Sequence, residues 1–176
     1  MNILKPFMPR IVVDIAPQEF LFRRGSRQAR IATYMYLSNS DALVVSVGEA
    51  VKESGHITRV DLFGPLKQSA FDKYECLEAY FRYGIRKMLG RQYSLRPILY
   101  IRNADSLDQI LCGYHMKLLW LAATNGGAYE CWFIGDRIGS PKNDVEKDYI
   151  KIANAMPRPD CEEKSPGGRL QASARP

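Results

Sequence analysis

No apolar run in this sequence approaches the roughly 20 residues that a membrane-spanning helix needs. The first residues also lack the apolar core of a secretion signal, so the expected compartment is the cytosol. The cysteines are few and scattered: Cys76, Cys112, Cys131 and Cys161 form no C-x-x-C pair, and His56 and His115 add no zinc-like spacing. Neither a metal site nor a disulfide is expected, and a thiol in an apolar segment behaves as a small hydrophobe. The chain has no G-x-x-x-x-G-K-[ST] loop, no G-x-S-x-G elbow and no G-x-G-x-x-G fingerprint. The common phosphate-loop, hydrolase and dinucleotide classes therefore have no foothold. Internal repeats are absent too.

What is present fits one domain. The chain has 176 residues, 46% of them hydrophobic and 25% charged, enough for a real core and too few for two large lobes. Its formal net charge of +6 serves solubility or attracts an anionic partner, whether membrane, nucleic acid or acidic protein. The sequence divides into a short basic and apolar segment at 1–10, a folded unit at 11–156, and a tail at 157–176. That tail is rich in Pro, Gly, Ser and charge and has too little to bury to offset the entropy of ordering.

Branched and aromatic residues predict strands near 11–15, 19–24, 31–37, 42–47 and 57–63, with turn signals at 25–29 and 38–41. The segment GEAVKESG at 48–55 reads as one or two helical turns stopped by Gly55. Asp72 can cap a helix to about Met88, whose residues Tyr74, Leu77, Phe81, Ile85 and Met88 form one apolar stripe. RPILYIR at 96–102 is a buried central strand, a second helix runs from Asp105 or Ser106 to about Ala123, and YECWFIG at 129–135 is the last strand. A further helix at 143–155 would carry Val145, Tyr149, Ile152 and Met156 on one face. This order implies an α/β fold: a mixed sheet with an antiparallel N-terminal meander, parallel C-terminal strands, and helices packed on it.

The stretch RIVVDIAPQEFLFRRG at 10–25 ends a buried strand on Asp14 and enters a hairpin, a place where phosphate is often gripped. Together with VVSVGEAVKE (44–53), GPLKQSAFD (64–72), IRKMLG (85–90), RPILYI (96–101) and FIGD (133–136), it resembles the MreB-type, rod-shape family of actin-like ATPases. The resemblance covers residues 11 to about 139 and implies an actin-like, ribonuclease H-like subdomain, cytoskeletal assembly beneath the membrane, and a role in cell shape. The family's first hairpin reads D-x-G-T. Here Asp14 keeps the acid, a vestigial phosphate-loop position, but Ala16 stands for the glycine and Pro17 for the threonine. Proline removes an N–H donor and alanine disfavours a positive φ. The family's second phosphate hairpin, D-x-G-G-G-T, has no counterpart after Phe133. Its water-positioning acid cannot be assigned within NADSLDQIL at 103–111, where Asp105, Asp108 and Gln109 stand out of step. No catalytic residue carries over, since phosphoryl transfer needs positioning and charge from several directions at once.

Other signals have plainer readings. Asn125-Gly126-Gly127 follows a helix and reads as its stop. His115 lies among apolar helix residues and reads as packed. The tyrosines sit at core spacing, so a nucleic-acid partner is not expected. Leu4, Lys5 and Phe7 form a basic, apolar N-terminus that either touches a membrane or stays untethered. Arg23, Arg24, Arg27 and Arg30 form the densest basic cluster, either a solvated loop or a surface for acidic lipid or protein. The function expected is that of a degenerate, non-catalytic MreB-type protein acting by protein–protein contact, for example with a full-length homologue, with peripheral contact at the inner membrane left open. It has no cofactor and no small-molecule substrate. Two alternatives stand beside it: a nucleotide-binding subunit that completes its cleft with another chain, and an adaptor at acidic membranes.

Overall fold

The computed structural model describes residues 5–41, 43–52, 54–64, 73–90, 95–111 and 114–134. Its strands are β1 (Arg10–Ile15), β2 (Glu19–Arg24), β3 (Arg27–Ala32), β4 (Tyr34–Ser38), β5 (Val44–Val47), β6 (Ile57–Asp61), β7 (Ile98–Arg102) and β8 (Glu130–Ile134). Its helices are α1 (Lys73–Leu89), α2 (Asp108–Leu111) and α3 (His115–Asn125), with 3-10 turns at Lys5–Phe7 and Ala104–Leu107. A five-stranded sheet has the order β3-β2-β1-β7-β8, antiparallel between β1, β2 and β3 and parallel between β1, β7 and β8. A second, antiparallel sheet has the order β5-β4-β6.

The apolar run of β1 is buried because both faces of its sheet are covered. Ile11, Val13 and Ile15 face the main core with Phe20 and Phe22 of β2 and the buried side of α1 and α3. Val12 faces the other way, into a smaller cluster with Met8, Ile98 and Tyr100. The expected stripe of α1 holds: Leu77, Phe81, Ile85 and Met88 are buried, and Tyr74 is half-buried. Tyr80 joins them edge-on to Phe20, at 5.2 Å between ring centres, and its hydroxyl donates to the Ile31 carbonyl of β3. Burial of that phenol pushes its pKa well above the ordinary range. Gly84 lets α1 approach β2, because a Cβ there would run into the ring of Phe22.

Four local expectations need correction. The single strand at 31–37 breaks at Thr33, which joins the two sheets: its N–H donates to Gln18 at 2.9 Å while its carbonyl accepts from Leu62 at 2.9 Å. The described residues of 48–55 form no helix. Gly48 takes φ +67 packed against Ile31 and Ala32, and Glu49 reaches out to Lys87 at 3.2 Å. The second helix is not continuous; it is a 3-10 turn, then α2, then α3, launched from Asn103 in the left-handed region at φ 58. The turn at 25–29 shrinks to Gly25 and Ser26, with Arg27 onward already in β3. The stop of α3 is as expected, with the Gly126 N–H bonded to Ala122 at 2.8 Å. The expected Asp72 cap, the helix at 143–155 and the tail at 157–176 lie outside the described residues.

Gly84→Ala tests the close approach of α1. Alanine gains about 1 kcal/mol of helix propensity over glycine, yet overpacking against the Phe22 ring costs about 1–3 kcal/mol. Urea unfolding is expected to show a net loss of stability; a net gain would mean that α1 stands farther from the sheet.

Candidate functional site

The site is built where the parallel strands end. Register places Asp14 of β1 directly beside Arg102 of β7, and beside Leu21 of β2 on its other flank. Arg23 stands two residues along β2 on the same face, a diagonal neighbour within reach of a long side chain. The result is a buried ion pair. Arg102 Nε donates to Asp14 Oδ1 at 2.5 Å, with the two side chains only 4% and 2% exposed. Arg23 Nη2 approaches Asp14 Oδ2 at 3.3 Å. Two guanidiniums therefore converge on the one carboxylate of Asp14.

The tip of the hairpin is closed to an anion as well. The Ala16 N–H is turned back to the Glu19 carbonyl at 3.1 Å, and Pro17 has no N–H to give. Ala16, Pro17 and Gln18 all keep negative φ, so the tip lacks the left-handed turn with which backbone N–H groups wrap a phosphate. Its carbonyls are occupied by Thr33, whose hydroxyl donates to Pro17 at 2.6 Å and whose N–H donates to Gln18. Beside the tip opens a cleft of about 480 Å³ between the two sheets, lined in part by Pro17, Thr33, Arg59, Asp61, Phe63 and Ile110.

The basic cluster is dispersed among separate tasks. Arg23 serves Asp14; Arg27 Nη1 donates to the Met88 carbonyl at 3.4 Å, at the C-terminal end of α1. Arg30 pairs with Glu19 at 2.9 Å in an exposed bridge, worth about 1 kcal/mol or less. Arg24 is half-buried at the end of β2. Of the N-terminal candidates, Lys5 Nζ bonds Glu130 at 2.8 Å and stands over the Trp132 ring, while Phe7 is 71% exposed. Leu4 lies outside the described residues. His115 is packed, as its neighbours in sequence suggest, and its two ring nitrogens face Asp105 at 3.4 Å and Asp108 at 3.2 Å. Asp105, Asp108 and Gln109 are exposed and do not join Asp14. Among the described residues no group of three or more His, Cys, Asp or Glu side chains is placed to hold a metal. No helix among them is long and apolar enough to cross a membrane. Cys76 and Cys131 are buried free thiols, and desolvation drives the Cys131 thiol pKa far up.

Sequence reasoning missed Arg102. The signal was there: ILYIR is a fully buried strand, and a charge at the end of such a strand requires a buried partner.

Removing one member of a buried pair strands the other, at a cost of about 3–5 kcal/mol, whereas replacing both with apolar residues is far milder. Asp14→Asn is thus expected to lower the denaturant midpoint sharply, and Asp14→Leu with Arg102→Met to recover a substantial part. Equal losses in both variants would contradict the pair.

No family model matches the sequence, and no curated protein matches it either. A solved structure does: MreB 5 of Spiroplasma citri bound to AMPPNP, with a TM-score of 0.50 and 14% sequence identity. The match covers 72% of this chain and 38% of that one, so the present chain spans little more than a third of its neighbour's length. At such identity the likeness is one of fold. The mixed sheet, its antiparallel companion and the helices packed on them form an α/β architecture of the actin-like kind.

Proposed function

We propose that this chain is a non-catalytic relative of the MreB type that works by contact with other proteins, a full-length actin-like homologue among them, in the maintenance of cell shape. The observation that carries the reading is the closure of Asp14. In the D-x-G-T pattern the acid faces a phosphate through a divalent cation, because a bare carboxylate repels one. Here the cation beside it is a guanidinium from the chain itself, at 2.5 Å and out of solvent. To bring in magnesium and phosphate would mean breaking that pair inside the protein, where an uncompensated guanidinium is costly. Pro17 has no N–H and the Ala16 N–H is engaged by Glu19, so neither stands ready to offset that loss.

Phe7, exposed beside basic residues, supports a role at the inner membrane, since an exposed aromatic with nearby cations inserts into an acidic lipid surface. The cleft beside the hairpin tip is what supports the other reading, a subunit that completes a nucleotide site with a second chain.

Isothermal titration with magnesium-ATP discriminates. The expected result is no saturable heat up to about 1 mM nucleotide, a dissociation constant weaker than about 4 kcal/mol of binding would give, and no phosphate release. Micromolar binding, or steady phosphate release that Asp14→Ala abolishes, would overturn the non-catalytic reading.

A further inference from the structure

We infer that the chain pairs with a second copy of itself through the edge of β6 that no other described strand covers, strand to strand and antiparallel. The inference goes beyond the proposed function and does not rest on it, since a nucleotide-binding chain and a non-binding one would present the same edge.

Among the described residues β6 is an outer strand of its sheet, with β4 on one side. The phase of the ladder follows from two hydrogen bonds that flank it: the Leu62 N–H to the Thr33 carbonyl and the Asn39 N–H to the His56 carbonyl, both 2.9 Å. Hydrogen-bonded positions alternate along an antiparallel pair. Thr58 and Val60 therefore turn their backbone groups towards β4, while Ile57, Arg59 and Asp61 turn theirs outward. Local turns use two of the outward groups, the Ile57 N–H with Ser54 at 2.9 Å and the Asp61 carbonyl with Gly64 at 3.2 Å. Among the described residues the Ile57 carbonyl, the Arg59 N–H and carbonyl, and the Asp61 N–H remain, spaced as a strand presents them.

The opposite edge differs. The β4–β5 ladder slips between Tyr36 and Leu37, the kind of irregularity that blunts an edge against pairing. The β4–β6 ladder runs without a slip from Tyr34 opposite Asp61 to Ser38 opposite Ile57.

Charge selects the occupant. A strand that carries Arg59 and Asp61 on one face, about half-exposed at 47% and 48%, does not accept every neighbour. About a two-fold axis centred on Val60, Arg59 lies opposite Asp61 of the second copy, and Asp61 opposite its Arg59. Both are outward-facing positions, so in each such pair the Asp61 N–H donates to the Arg59 carbonyl, the Arg59 N–H shares the Asp61 carbonyl with Gly64, and opposite charges stand side by side. Centring on Arg59 instead would put like charges face to face, which disfavours that register. The 2.8 Å bridge between Arg59 and Asp61 within one strand shows that the two charges already seek each other. Pairing exchanges the one such bridge in each copy for two across the axis, so charge sets the register and not the strength of the contact, and the interface is isologous, closing at two copies.

Sedimentation velocity on the full chain, from about 10 μM to about 1 mM, tests this. A reversible dimer is expected in the upper range. Arg59→Asp and Asp61→Arg should each weaken it at least tenfold, and the combined Arg59→Asp, Asp61→Arg chain should restore it to within about threefold, with circular dichroism confirming the fold of each. In the unmodified chain, amide exchange at Arg59 and Asp61 should slow as concentration rises, which needs no variant to fold. A monomer throughout, a dimer indifferent to the single changes, a double change that fails to restore, or exchange independent of concentration would each overturn the inference.

Discussion

A carboxylate stays in a protein interior only with a cation beside it, and Asp14 has found one on a strand 88 residues away in sequence. The Asp14–Arg102 pair joins the N-terminal meander to the parallel half of the sheet at the end of β1 and β7. Arg23 is drawn from the adjacent strand onto the same acid, and a position that could coordinate a metal and phosphate becomes an internal cross-link.

The hairpin tip shows the same logic in its backbone. Ala16 and Pro17 leave the tip poor in donors, and Thr33 uses its acceptors to fasten it. Thr33 is also where the chain passes from one sheet to the other, so the tip is held by the hinge between them. Packing reinforces the arrangement: α1 and α3 cover one face of the large sheet, with Phe20, Phe22, Tyr80 and Phe81 interlocked between them. The second sheet grows out of this frame with its β6 edge beside the cleft.

Much of this was legible in the sequence because it depends on short-range pattern. Period-two alternation and apolar runs located the strands, and the three-to-four spacing of Leu77, Phe81, Ile85 and Met88 located α1 and its buried side. The substitutions at Ala16 and Pro17 were visible as chemistry before any coordinates. What could not be read depends on partners distant in the chain. Thr33 carries no turn signal, and its break is imposed by hydrogen bonds to Gln18 and Leu62. The segment after Gly48 has helical composition, but the glycine's positive φ turns the chain there and the described residues that follow form no helix. The four clustered arginines looked like one patch; strand register and the end of α1 assign Arg23, Arg27 and Arg30 to three different acceptors. Arg102 needed the parallel register of β1 and β7, which no local pattern gives.

The most direct measurement concerns the Arg102 side chain itself. In a sample labelled with nitrogen-15 at arginine, the Nε–H of Arg102 should give a slowly exchanging resonance, as a buried donor to Asp14 must, and adding magnesium and ATP to about 1 mM should leave it in place. A shift or loss of that resonance that saturates with nucleotide would mean that Asp14 lets go of its guanidinium to take a metal and a phosphate, and the account would be wrong at its centre.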